Sequence, residues 1–156
     1  MPQIGDRAAD FEALDQDSKK ISLKGFKGKT IVLYFYPKDN TPGCTKEACS
    51  LRDRYSSFKK KSVVILGVSK DSQKSHSGFI EKYDLPFTLV SDTDKKVQEA
   101  YGVWQEKNMY GKKVMGTVRT TFIINPEQKI ACVFNKVDCP NHADEVLEKL
   151  EELNLI

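Results

Sequence analysis

"TIVLYFYPKDNTPGCTKEAC", residues 30–49, changes its periodicity in mid-stretch. Thr30 to Tyr36 is a β-branched and aromatic run stopped by Pro37, which reads as a buried strand. Beyond it the spacing becomes helical. Pro42 suits the first position of a helix, because its ring fixes φ and the N–H it lacks is unpaired there anyway. Thr41 is then the N-cap and Cys44 lies in the first turn. Ala48, Leu51, Tyr55 and Phe58 follow Cys44 at i+4, i+7, i+11 and i+14. That stripe puts Cys44 on the inward face of the helix, at the bottom of a pocket.

Further along, "SVVILGVS" (62–69) reads as a second buried strand. "SQKSHSGFIEKYDL" (72–85) is helical, with Phe79, Ile80 and Tyr83 on one face. "FTLV" (87–90) is a short strand, and "TDKKVQEAYGV" (93–103) a short helix ending near Gly102. "TVRTTFIIN" (117–125) and "KIACVFNKV" (129–137) flank Pro126-Glu127-Gln128 as a hairpin. "NHADEVLEKLEEL" (141–153) is a final amphipathic helix, capped by Asn141, with Val146, Leu147, Leu150 and Leu153 inward. Alternating strands and helices imply βαβ units in an α/β sheet, to which the late strand pair adds an antiparallel edge. At the N-terminus, "FEALDQDSKKISL" (11–23) supplies a small hairpin, although Ser18 stands where a turn glycine is common.

A chain of 156 residues is expected to form one domain, 1–156, with a sizeable core. Its formal net charge of +3 is too small to argue for nucleic acid or a membrane surface. The run Lys59-Lys60-Lys61 reads as the cationic close of a helix. No apolar run approaches the ~20 residues of a membrane span. Met1 to Asp10 is neither apolar nor arginine-rich, so no signal or transit peptide is visible, and the cytoplasm is the expected location. Lasting structural disulfides are rare there, so the four cysteines read as thiols, metal ligands or a transient redox couple.

At a helix N-terminus, free N–H groups and the positive end of the dipole favour a thiolate at Cys44. Cys49 is different. Five residues rotate a helix by about 140°, which carries Cys49 to the polar side near Arg52, Asp53 and Ser56. The two Cα atoms are then roughly 8–9 Å apart, whereas a disulfide needs about 4.4–6.8 Å. The pair can bond only if the first turns unwind, and Gly43, a poor helix former, lowers the cost. Other readings stand beside a redox pair: plain core filler, a thioredoxin-type dithiol, or a zinc site drawn from Cys44, Cys49, Cys132, Cys139 and His142. The last two lack the expected C-x-x-C spacing.

"YFYPKDNTPGCTKEAC" resembles the active-site segment of the peroxiredoxins, whose P-x-x-x-T-x-x-C pattern is met by Pro37, Thr41 and Cys44. The plus-five cysteine is similar to the bacterioferritin comigratory protein, or peroxiredoxin Q, subgroup. "LGVSKDSQKSHSGFIEKYDLPFTLVSDTDKKVQEAYGVW" and "MYGKKVMGTVRTTFIIN" also resemble that subgroup, so the likeness covers nearly the whole chain. It implies a thioredoxin-like α/β fold with a mixed central sheet flanked by helices, an N-terminal hairpin extension and one strand–helix insertion. It also implies a thiol-specific peroxidase acting on hydrogen peroxide and organic hydroperoxides. Cys44 would be the peroxidatic cysteine and Cys49 the resolving one. Thr41 would hydrogen-bond thiolate and peroxide, Pro37 would shield the site, Arg119 would be the active-site arginine, and Glu47 would help to hold it. A sulfenic acid on Cys44 would condense with Cys49, and thioredoxin or a similar dithiol would reduce the disulfide. The resemblance implies a monomer and requires no metal or organic cofactor. The alternatives kept beside it are a thiol–disulfide oxidoreductase, or holdase, and a zinc-stabilised binding module.

Some residues depart from that pattern or fall outside it. Ala8-Ala9-Asp10-Phe11 stands where many members read A-P-D-F. Cys132 reads as sheet filler. Cys139, ahead of Pro140, reads as an exposed incidental thiol in preference to an alternative resolving partner. His76 reads as a helix-surface histidine and His142 as structural. Trp104 and Tyr110 flank a "QEKN" loop, with packing preferred over contact with the reductant.

Overall fold

The computed structural model describes all residues, 1–156. Nine strands and five α-helices follow in the order β1 (Glu12–Asp15), β2 (Lys20–Ser22), β3 (Ile31–Phe35), α1 (Pro42–Asp53), α2 (Tyr55–Lys60), β4 (Val64–Ser69), α3 (Gln73–Tyr83), β5 (Thr88–Ser91), α4 (Lys96–Ala100), β6 (Trp104–Met109), β7 (Lys112–Thr117), β8 (Thr120–Ile124), β9 (Ile130–Phe134) and α5 (His142–Glu152). Seven strands form one mixed sheet in the order β2-β1-β5-β4-β3-β8-β9, and β6 and β7 pair apart from it. The parallel pairs are β3–β4 and β4–β5; β8, β9 and the β1–β2 hairpin run antiparallel. This is the thioredoxin-like, mixed-sheet architecture expected from the resemblance.

Every residue of β3 is buried because both faces of the sheet are covered. Val32, Tyr34 and Tyr36 pack with Cys44, Ala48 and Leu51 of α1, Phe58 of α2, Phe79 of α3, and Ala143, Val146 and Leu150 of α5. Ile31, Leu33 and Phe35 face the other way, toward Val97 and Tyr101 around α4 and toward Phe11 and Leu23. Gly67, beside Tyr34 on β4, leaves space for that ring. A Cβ there would lie 2.8 Å from Tyr34 Cζ and 2.7 Å from Leu89 Cδ2. No helix is long and apolar enough to cross a membrane.

Four expectations are corrected. The helix after β3 is not continuous to Phe58: it breaks at Arg54, where Ser57 N bonds Arg54 O three residues back and tightens the backbone. The strand expected over 117–125 is two strands. Thr117 pairs with Trp104 in β6–β7, Val118 N bonds Val103 O, and only from Thr120 does the chain join the main sheet. Arg119 occupies the crossing between the two sheets. The "QEKN" segment is strand, not loop, with Tyr110 at the fully exposed hairpin turn. Leu153 lies past the end of α5 and is exposed, not inward. The N-terminal hairpin forms without a turn glycine. Ser18 takes a left-handed φ of 60°, and the Asp15 carboxylate accepts from Asp17 N and Lys19 N to hold the turn.

Candidate active site

The segment between β3 and α1 is pinned before it reaches the helix. Tyr36 N makes the last sheet bond, to Val68 O. Asp39, only 4% exposed, then accepts hydrogen bonds from Tyr36 Oη at 2.7 Å and Ser75 Oγ at 2.7 Å, and faces His76 Nδ1 at 2.8 Å. Its own N–H donates to Asp71 Oδ2. His76 Nε2 lies 3.0 Å from the Val90 carbonyl oxygen, which can only accept, so Nε2 carries a proton and Nδ1 faces the carboxylate. Far from lying on the helix surface, His76 is fully buried, because its two nitrogens join the loop ahead of Cys44 to α3 and β5. Asn40 completes the turn at a φ of 62°, a left-handed conformation asparagine tolerates.

Thr41 is the N-cap and Pro42 opens α1, but the Thr41 hydroxyl bonds no helix N–H. It donates to Lys38 O at 2.8 Å, and a hydroxyl has one hydrogen to give. In this structure Thr41 therefore closes the loop instead of donating to the Cys44 sulfur. Pro37 is half-buried.

Cys44 is 1% exposed, on the face shared with Ala48 and Leu51. Arg119 reaches it from the crossing between β7 and β8. Its Nη2 donates to Cys44 Sγ at 3.3 Å and its Nη1 to Glu47 Oε1 at 2.6 Å. A guanidinium is a rigid planar fork, so holding one prong on Glu47 aims the other. One turn along α1 separates the two acceptors, which is how helix periodicity presents both to one arginine. Glu47 is fully buried, and its Oε2 accepts no hydrogen bond; His142 Nε2 lies 3.7 Å from it. Burial pushes the Glu47 carboxyl up to about 7, against the pull of Arg119. His142, structural as expected, faces Thr121 Oγ1 and Glu145 Oε1, and burial holds its imidazole below the usual range.

Cys49 is half-buried, and burial raises its thiol, with Arg52 opposing and Asp53 adding. Those neighbours are the polar side expected from the helical rotation. No disulfide is formed: all four cysteines are free. Cys132 is buried in β9, as expected of sheet filler. Cys139 is not the exposed thiol expected. It is half-buried in a 3-10 turn, Cys139–Asn141, that packs against α1. The cysteines do not gather with His142 into a metal-ligand set. The one group of donors that converges is Asp39, Asp71 and His76, and its hydrogen bonds pin the loop.

Three residues around the site were missed or misread in the sequence. Asp39 and His76 stand 37 residues apart, so their pairing had no local signal. Lys107, on β6, has its ammonium held below the ordinary range by burial and then by Arg119, while Cys44 pulls it up. Trp104 beside it lies under Lys70 Nζ at 5.7 Å and Lys95 Nζ at 5.6 Å, a packed cation–π stack.

Similarity to known proteins coincides with this geometry. The AhpC/TSA family profile matches residues 4–133. A putative peroxiredoxin bcp of Coxiella burnetii is 50% identical over 148 residues, covering 95% of this chain and 98% of that one. PrxQ of Xylella fastidiosa, solved as a cysteine-to-serine mutant, superposes with a TM-score of 0.92 at 38% identity, covering 97% of each chain. The bacterioferritin comigratory protein of Xanthomonas campestris, studied for its alkyl peroxide reduction activity through trapped intermediate and ligand complexes, gives 0.86 at 41% identity. That match covers 91% of this chain and 90% of the other.

Proposed function

The chain belongs to the AhpC/TSA family, among Bcp and PrxQ peroxiredoxins, and from that premise we propose that it is a thiol peroxidase working through Cys44. The observation that carries the reading is the Arg119 fork, set on Cys44 Sγ and Glu47 at the N-terminus of α1. The guanidinium gives that sulfur a charge-assisted hydrogen-bond donor, and a thiolate is the nucleophilic form of cysteine.

The thiolate attacks one peroxide oxygen, an S–O bond forms and the O–O bond breaks. The departing oxygen takes the electron pair and, on protonation, leaves as water or an alcohol. Charge that develops on it meets Arg119 and the first-turn N–H groups, which are already oriented. Thr41 joins them if its hydroxyl turns from Lys38 O toward the peroxide. Pro37 keeps bulk water from the sulfur. Cys44 is left as a sulfenic acid, which condenses with the Cys49 thiol, releasing water and forming a disulfide. Because Cys49 lies on the far side of α1, that step requires the first turns to unwind, and Asp39 and His76 hold the preceding loop while they do. Thioredoxin or a similar dithiol restores both thiols by exchange. The same reading carries a cytoplasmic monomer that takes hydrogen peroxide and organic hydroperoxides.

The test is a single turnover. With one equivalent of peroxide, the wild type is expected to consume it and to yield a Cys44–Cys49 linkage on peptide mapping. Cys44→Ser is expected to leave the peroxide untouched. Equal consumption by Cys44→Ser refutes the peroxidase reading.

A further inference from the structure

Cys139 is the thiol beside the site that the mechanism above leaves unused. Its Sγ lies 3.8 Å from the point where a Cβ on Gly43 would sit, and Arg119 Nη2 lies 3.2 Å from the same point. That same Nη2 is 3.3 Å from Cys44 Sγ. The Cys139 sulfur and the guanidinium that bonds Cys44 therefore border the same point beside Gly43, one sulfur on α1 and one on the turn before α5. Burial raises the Cys139 thiol, Arg119 draws it down, and Glu47 and Cys44 act on it in turn, as expected of a group sharing one site with them.

The turn that carries Cys139 is held independently of the first turn of α1. Ala143 N donates to Ser50 Oγ, further along α1, at 3.0 Å. Asp138 N bonds Glu145 Oε1, and Asn141 Nδ2 bonds Asp138 Oδ2. When the first turn opens, these anchors remain. Cys49, by contrast, sits five residues along the same helix, roughly 8–9 Å away between Cα atoms, and reaching it unwinds more of α1. Opening only the turn that contains Gly43 and Cys44 frees the Cys44 sulfur to move toward Cys139. Gly43 makes that opening easier than alanine would, because glycine gains more backbone freedom on leaving a helix.

Resting on the peroxidase reading of Cys44, we propose that Cys139 is a second resolving cysteine, competing with Cys49 for the Cys44 sulfenic acid. The Cys139 sulfur attacks Cys44 Sγ, the S–S bond forms and the S–O bond breaks. Hydroxide leaves and takes the thiol proton as water. Peroxide is the only oxidant needed, and a dithiol reduces the product as it does the Cys44–Cys49 bond.

The test uses Cys49→Ser and, as a second variant, Cys49→Ala, each treated with one equivalent of hydrogen peroxide and mapped under non-reducing conditions. The expected product is an intrachain Cys44–Cys139 disulfide, with Cys132 left as the free thiol. The proposal is overturned if Cys44 in both variants stops as sulfenic acid, trapped by dimedone, with Cys139 still a free thiol. Failure of the peroxidase reading looks different: no oxidised Cys44 in any variant, and peroxide left intact by the wild type.

Discussion

Replacing Glu47 by glutamine keeps the shape of the Arg119 fork and removes one titration. Burial raises the Glu47 carboxyl from its ordinary 4.5 to about 7. At about 1.4 kcal/mol per pH unit, ionising it in the folded chain costs about 3 kcal/mol more than in the unfolded chain. A carboxyl whose folded pKa is raised binds more protons folded than unfolded between those two values. Its contribution is complete below about pH 4.5, is lost as pH rises to about 7, and is constant above. The glutamine amide does not titrate, so the stability of Glu47→Gln minus that of the wild type should rise by about 3 kcal/mol from about pH 4 to about pH 8. His142, whose imidazole is lowered by burial, has the opposite slope: it costs stability as pH falls. Both proteins carry it, so it drops out of the difference to first order. Urea unfolding at half-unit pH intervals, with thiols kept reduced, measures the curve. A difference that is flat, or that falls with pH, refutes the reasoning. A flat difference would mean that the Arg119 ion pair offsets desolvation, and a falling one that it outweighs desolvation and holds Glu47 low.

Two further outcomes are expected. Asp39→Asn removes the carboxylate that Tyr36, Ser75 and His76 share, so it should cost about 1–3 kcal/mol in denaturant unfolding. It should also slow the first-turnover loss of peroxide relative to wild type at equal folded fraction, measured by stopped flow; an unchanged rate would mean that the loop needs no pinning. Gly67→Ala drives a methyl into Tyr34 and Leu89 and should destabilise by about 1–3 kcal/mol, seen as a lowered urea midpoint.

Legibility followed the range of the interaction. The stripe from Cys44 to Phe58 placed Cys44 inward because a helix repeats within its own sequence, and Cys44 is 1% exposed. Glu47 was reached through resemblance to a family segment. Arg119 was reached only through resemblance to a family segment. Its place at a crossing between two sheets appears only when Thr117 pairs with Trp104 and Thr120 with Phe35. His76 was misread because a lone histidine at helical spacing gives no sign of a carboxylate 37 residues earlier. Leu153 was misread because an apolar residue at the right spacing does not show where the helix ends.

By itself, then, the amino-acid sequence determined the local elements and the placement of Cys44 in the first turn of α1, on its inward face. Short-range sterics and hydrophobic period settle these within a few turns. Only the tertiary structure decided which charges meet that sulfur. Arg119 lies 75 residues from Cys44 in the chain, and Asp39 with His76 and Cys139 with Gly43 are likewise pairings between distant segments. Those contacts depend on strand order and on which face of the sheet each helix covers, and they set both the electrostatics of Cys44 and the thiols within its reach.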